Sequence, residues 1–220
     1  TGPGNIYVTV AKKMVYGEVN VDMLAGPSEI LIIADGKADP AYLAADLMSQ
    51  AEHDIMARCI LVTDEEDLFD RVEAELQKQI KALSRREIIE QALVRNGAFI
   101  LTADLEEACR VANRIAPEHL ELMVEDPFAL LSKVKNAGAI FMGKYTPEPV
   151  GDYYAGPNHI LPTGGTARFK SPVTVDTFLK TSSLLFYSRA GIRQAADDII
   201  KLATVEGLTA HANSVRIRKE

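Results

Sequence analysis

A parallel α/β sheet flanked by helices, with a helical appendage at its C-terminal end, is the fold the sequence predicts. Three observations carry this. Strand-like and helix-like segments alternate between residues 29 and 142, the order expected when helices join the strands of a parallel sheet. EILIIA at 29–34 is a nearly unbroken apolar run, as in a strand buried on both faces. From residue 175 the pattern is helical only, with no further strand to join. The expected division is an α/β domain over 1–174 and a helical tail over 175–220 suited to dimer formation.

The elements follow in order. Asn5 can cap a helix through Val10, Ala11, Met14 and Val15 that ends near Gly17. A short extended piece over 19–23 and a turn, AGPS at 25–28, lead into the first buried strand. Asp39 and Pro40 provide a cap and a first helical residue. The next strand covers 59–62, and Thr63 with Glu66 has capping-box spacing ahead of a helix over 68–83. Residues 85–94 continue helical, and 98–101 is a strand. In the helix over 104–115, Leu105, Ala108, Val111, Ala112 and Ile115 share one side. Strands over 119–124 and 139–142 bracket a helix over 127–134. Together these make a Rossmann-like sheet, although no GxGxxG follows its first strand. Ligands of such sheets bind beyond the carboxyl ends of the strands, so the polar motifs are expected there. The stretch 145–166, rich in Gly, Pro, Tyr, Asn and Thr, is expected to be an ordered functional loop. Helices over 194–205 and from Thr209 onward complete the chain.

Composition narrows the function. Of 220 residues, 47% are hydrophobic and 25% charged, enough for a real core. The net charge of −7 argues against a nucleic-acid surface, and no apolar stretch is long enough to span a membrane. Cys59 and Cys109 lie in separate apolar segments without CxxC spacing, as expected of reduced core thiols in a cytoplasmic protein. The start, TGPGN, has no initiator Met and reads as the middle of a longer or processed chain.

Four histidines stand out, each in a polar context. In DLMSQAEHD at 46–54, Gln50 and His53 are three residues apart and share a face if the helix runs through them. Alone, such a pair is usually solvated surface. With Asp152 in VGDY, His159 in GPNH and His211 in LTAH it gives a set of nitrogen and oxygen donors suited to Zn²⁺ or Mn²⁺. Gly151 would let the backbone near Asp152 approach a ligand, although Asp152 could equally be a turn residue. Glu118 and His119 follow a proline at the entrance to a strand, and adjacent carboxylate and imidazole can divide two proton transfers. Ser28 precedes a strand rather than a helix, so it suits a substrate hydrogen bond rather than a nucleophile. Glu206 ends a helix, where a carboxylate opposes the helix dipole.

These same stretches carry a resemblance. GPGN at 2–5, AGPSE at 25–29, SQAEH at 49–53, PEHL at 117–120, GDYYAGPNHILPTGGTARF at 151–169 and EGLTAH at 206–211 resemble histidinol dehydrogenase, in order and spacing. The resemblance covers the whole chain, and the family's N-terminal half is lacking. It implies a cytoplasmic, zinc-dependent, NAD-linked homodimer that oxidises L-histidinol through L-histidinal to L-histidine. It implies one zinc per subunit held by Gln50, His53, Asp152 and His211. The substrate would be lined by Ser28, Gln50, His53, His119, Asp152, Glu206 and His211, with Glu118 beside it, and Glu118 and His119 would be catalytic. Asn5 would contact NAD⁺. Glu206 and His211 would reach across the dimer, and His159 leaves the ligand set. Two alternatives stay open: a zinc hydrolase using the same donors, and an isolated metal-binding half without activity.

Overall fold

A computed structural model describes residues 1–2 and 6–219. Asn5, with its expected capping and NAD roles, lies outside the described residues. The chain divides into two compact units, Thr1–Phe178 and Leu179–Glu220.

The first unit opens with helix α1 (Ile6–Val15). It is built on five parallel strands: β1 (Glu29–Ala34), β2 (Arg58–Thr63), β3 (Gly97–Leu101), β4 (His119–Met123) and β5 (Ala139–Met142). Their order is β3-β2-β1-β4-β5. The helices between them are α2 (Pro40–Ala51), α3 (Asp67–Gln79), α4 (Arg86–Asn96), α5 (Leu105–Ile115) and α6 (Pro127–Leu131), followed by α7 (Glu148–Tyr153).

Period-two alternation sorts the central strands between two cores. Ile30 and Ile32 of β1 meet Leu43 and Leu47 of α2 and Leu68 of α3. Leu31 and Ile33 turn to the other face, against Ala108, Cys109 and Ala112 of α5. β4 follows the same rule. Leu120 and Leu122 join the α5 face, while Met123 joins the α2 face. His119 and Glu121 share the parity of Met123, so β4 presents them toward α2. Both cysteines are free and buried.

Several local features differ from expectation. Asp39 caps α2 through Ala41 N–H at 2.9 Å, as its sequence suggests. Thr63 instead ends β2; its Oγ1 accepts from Glu65 N–H at 3.2 Å, and α3 starts without a side-chain cap. The 68–83 helix breaks at Gln79 into a single 3₁₀ turn, Ile80–Ala82. Residues 19–23 form no strand; an isolated bridge pairs Tyr16 with Val19. The 145–166 stretch contains α7, which its Gly/Pro content conceals. Gly151 of α7 serves packing: a Cβ there would lie 2.7 Å from the Phe141 ring. The glycine lets the helix approach β5.

The second unit is a helical hairpin, α8 (Arg189–Val205) and α9 (Thr209–Lys219). Gly207, at φ 75°, turns the chain between them. Ala203 and Ala212 are buried, and Lys219 pairs with Asp197 at 2.6 Å, which sets the helices antiparallel. No helix among the described residues is long and apolar enough to cross a membrane.

Candidate functional site

The polar cluster gathers at the amino ends of the strands, not the carboxyl ends. Glu29 opens β1 and His119 opens β4, in adjacent register, with Ile30 opposite His119. Ser28 precedes β1, and its carbonyl accepts from Arg58 N–H, at the start of β2, at 3.0 Å. A cavity of about 310 Å³ opens here, lined by Gly26, Ser28, His53 and Asp54 among others. A larger cavity of about 750 Å³ does open at the carboxyl ends, lined by Lys37, Tyr42, Glu125 and Lys144 among others, but no candidate residue borders it. The placement expected from sheet topology alone is therefore corrected. The chain's ionisable groups, rather than the strand-order switch, mark the site.

Local backbone explains how Glu118 and His119 reach it. α5 ends at Ala116 in the left-handed region, φ 55°. This turn sends Pro117, Glu118 and His119 back to the sheet edge. Gly138 lies so close that a Cβ on it would sit 2.6 Å from the Glu118 carbonyl oxygen. The Glu118 carboxylate accepts Glu29 N–H at 2.9 Å. His119 Nδ1 lies 2.9 Å from the Glu29 carbonyl oxygen. A carbonyl only accepts, so Nδ1 carries the proton and Nε2 presents its lone pair. That Nε2 faces Glu148 at 3.8 Å.

The electrostatics follow from burial. Burial holds the His119 imidazole below its ordinary value, opposed by its bond to Glu29 and the charge of Asp152, while His53 adds to the lowering. Burial pushes Glu118 up to about 8; the bond from Glu29 N–H opposes this, and the charges of Glu29, Glu148 and Asp152 add to it. Glu148 is pushed up to about 8 by burial, then by the neighbouring Asp152 carboxylate and other nearby charge. Deeper still, Glu121 is pushed up to about 9 by burial and by the nearby charge of Asp46. Burial likewise raises Asp46, to about 6.

His119, Glu148 and Asp152 each offer a ligand atom, all within 4.8 Å of one another. Gln50 is buried on α2. His53 lies past the end of that helix, in a turn where its N–H bonds Gln50 O at 3.3 Å. α2 itself stops at Ala51, so His53 stands in the turn that follows it. His159 is exposed. Glu206 caps the end of α8 and His211 sits in the first turn of α9, both exposed in the second unit.

A family profile described as histidinol dehydrogenase matches residues 1–219. The chain belongs to the histidinol dehydrogenase family. It is 65% identical over 220 residues to a histidinol dehydrogenase of Heliobacterium mobile, covering all of this chain and 52% of that protein. It is 57% identical over 218 residues to one from Carboxydothermus hydrogenoformans, covering 99% and 51%. The crystal structure of histidinol dehydrogenase from Elizabethkingia anophelis superposes with a TM-score of 0.91 at 40% identity, covering 99% of this chain and 50% of that one. The chain thus spans about half the length of the curated relatives it matches.

Among the described residues, five buried atoms of the cluster have no hydrogen-bond partner: Glu29 Oε2, Gln50 Oε1, His119 Nε2, Glu121 Oε2 and Glu148 Oε1. Unpaired buried polar atoms are costly. Gln50 Oε1 is an oxygen ligand of the kind a zinc-like cation takes, and Asp152 offers another in the same cluster, so the residues present fit one. The β1–α2 connection, DGKAD at 35–39, carries no glycine-rich phosphate turn.

Sequence reasoning passed over Glu29, Asp46, Glu121 and Glu148. Three of them had a readable signal. Glu29 and Glu121 are charges inside strands buried on both faces, and Asp46 lies between Leu43 and Leu47 on the apolar side of α2. Glu148 had none, because α7 itself was hidden.

Proposed function

We propose that this chain is the site-bearing half of an NAD-linked, zinc-dependent histidinol dehydrogenase, which oxidises L-histidinol through L-histidinal to L-histidine. Family membership supports the reaction class. The observation that carries the reading is the buried His119, with a proton fixed on Nδ1 and a lone pair free on Nε2.

Gln50, His53, Asp152 and His211 would hold the zinc, whose contribution is to orient the substrate's imidazole and amine. Two molecules of NAD⁺ in turn would supply the hydride acceptor, one for each of the two oxidations. His119 Nε2 takes the hydroxyl proton as the first hydride leaves. It is neutral for this task because burial disfavours the imidazolium. Glu118 removes a proton from the water that adds to the aldehyde. Its raised carboxyl becomes a base once positive charge enters a pocket whose other carboxylates now oppose ionisation. His119, having released its first proton, takes another from the hydrate as the second hydride leaves.

Ser28 and Asp152 would bind substrate, and Asn5 the cofactor. Glu206 and His211 would be contributed across a homodimer, with the 175–220 tail as the exchanged part. A cytoplasmic setting accords with two buried free thiols.

The test is reduction of NAD⁺ by L-histidinol with the purified chain, with zinc added or chelated, and His119→Asn as control. A zinc-dependent signal lost in the variant supports the reading. Bound zinc without NADH formation would count against turnover by this chain.

A further inference from the structure

The stretch LPTGGTAR at 161–168 belongs to the longest motif in the chain, yet the reaction above gives it no part. It lies against the site all the same. Leu161 and Thr163 are 4% and 2% exposed. Pro162 packs by Gly138, where a Cβ would lie 3.1 Å from its Cδ. Gly164 and Gly165 both take left-handed backbone, φ 61° and 77°, which residues with a Cβ rarely adopt. The chain therefore doubles back. The Thr163 carbonyl accepts Thr166 N–H at 3.1 Å and the Thr166 hydroxyl at 2.7 Å, and this closed turn holds Thr163 in place.

The turn grips the segment that carries Ser28. Thr163 Oγ1 accepts Gly26 N–H at 2.5 Å, from 137 positions away in the chain. Beside it, Gly164 N–H donates to Glu29 Oε1 at 3.2 Å. Gly26 has no Cβ to keep the two apart; one would lie 3.1 Å from the Thr163 hydroxyl oxygen. Residues 25–28 line the cavity of about 310 Å³ together with His53. They belong to no helix or strand, so bonds from outside set their shape. Two such bonds fall at the ends of the segment: the Thr9 hydroxyl donates to the Ala25 carbonyl, and Arg58 N–H to the Ser28 carbonyl at 3.0 Å. Thr163 holds the middle, next to Pro27, which has no N–H of its own.

We propose that Thr163 is a positioning residue: its hydroxyl pins this wall of the cavity and so fixes where Ser28 presents its own hydroxyl to substrate. That Ser28 binds substrate rests on the function proposed above; the pinning of the wall does not.

Thr163→Val keeps the size of the side chain and removes the acceptor, whereas Thr163→Ser keeps the acceptor. Both are compared with the unmodified 220-residue chain and with Val72→Ala, a core change in α3 that touches no lining residue of the cavity. Order in the wall is followed by hydrogen exchange at the Gly26 amide, and binding by calorimetry of L-histidinol with the zinc-loaded chain. Thr163→Val is expected to lose protection at Gly26 and to weaken L-histidinol about 10-fold, the scale of one hydrogen bond. Thr163→Ser is expected to keep both. Val72→Ala should lower the melting temperature and leave both unchanged.

A folded Thr163→Val chain with a protected Gly26 amide, or with unweakened L-histidinol, overturns the proposal. So does a serine variant as impaired as valine. An equal loss of affinity in Val72→Ala would mark the effect as general destabilisation and sink it as well. If the unmodified chain binds no L-histidinol, the reading of Ser28 fails, and exchange at Gly26 alone decides whether Thr163 pins the wall. If Thr163→Val does not fold, Thr163→Ala replaces it, removing the acceptor without setting a methyl against the Gly26 amide, and the same outcomes decide.

Discussion

The imidazole of His119 is held by the backbone of Glu29, one strand away, with Nδ1 2.9 Å from the carbonyl oxygen. A main-chain carbonyl in the ladder of a buried strand cannot swing aside as a side chain can. The tautomer of His119 is thereby set by the pairing of β1 with β4. Nitrogen chemical shifts of His119 in the neutral, metal-free chain should report a proton on Nδ1 and none on Nε2. The opposite tautomer would remove the base from the mechanism.

If Nε2 is that base, its loss acts on chemistry more than on binding. In the enzyme completed by the other half of the family's chain, His119→Asn should lower kcat by ~10²- to 10⁴-fold with a much smaller change in KM. Equal losses in kcat/KM through KM alone would assign His119 to substrate binding instead.

Asp46 and Glu121 should make the metal-free protein less stable as pH rises. Their folded values are raised, to about 6 and about 9, whereas the unfolded chain releases these protons near pH 4. The full contribution is present below that point and is lost progressively as pH rises toward 9. Thermal unfolding followed from pH 4 to pH 9 should show this slope. Glu121→Gln should flatten it, raising the melting temperature at pH 8 but not at pH 4. A slope unchanged by the substitution would place its origin elsewhere.

Gly151→Ala should be felt both in stability and at the site. The added methyl meets Phe141 at 2.7 Å, and overpacking of this kind costs about 1–3 kcal/mol. Since α7 must move to relieve it, Asp152 moves too. Denaturant unfolding should show the loss, and zinc affinity should fall with it. A destabilised variant with intact affinity would mean that β5 gives way instead.

Both thiols should be silent in the native protein. Cys59 is buried in β2 and its thiol is pushed up to about 12; burial raises Cys109 as well. A thiol-specific disulfide reagent should label neither in native buffer and both after denaturation. Rapid native labelling would show that β2 or α5 opens locally.

Much of the fold could be read without coordinates, for identifiable reasons. EILIIA announces a strand buried on both faces, and the side chains of β1 then divide between two cores as alternation requires. Asp39 and Pro40 mark the start of α2, and the inward residues of α5 follow helical spacing. Glu118, His119 and Asp152 could be named from short motifs because each keeps a polar group where the surrounding pattern does not ask for one. α7 was hidden since Pro and Gly within it suggest a loop, and its stability comes from Glu121 and the Phe141 contact rather than from its own six residues.

The sequence by itself determined the strands, their helical connections and the family, since those depend on local periodicity and on motifs within a few residues. The tertiary structure alone decided at which edge of the sheet the chemistry sits. It also decided which nitrogen of His119 is free, and that Glu121 of β4 receives the first N–H of α7. Each of these depends on groups from separate strands and helices meeting in a buried, poorly solvated space. There their energies are set by distance and burial, which no local pattern encodes.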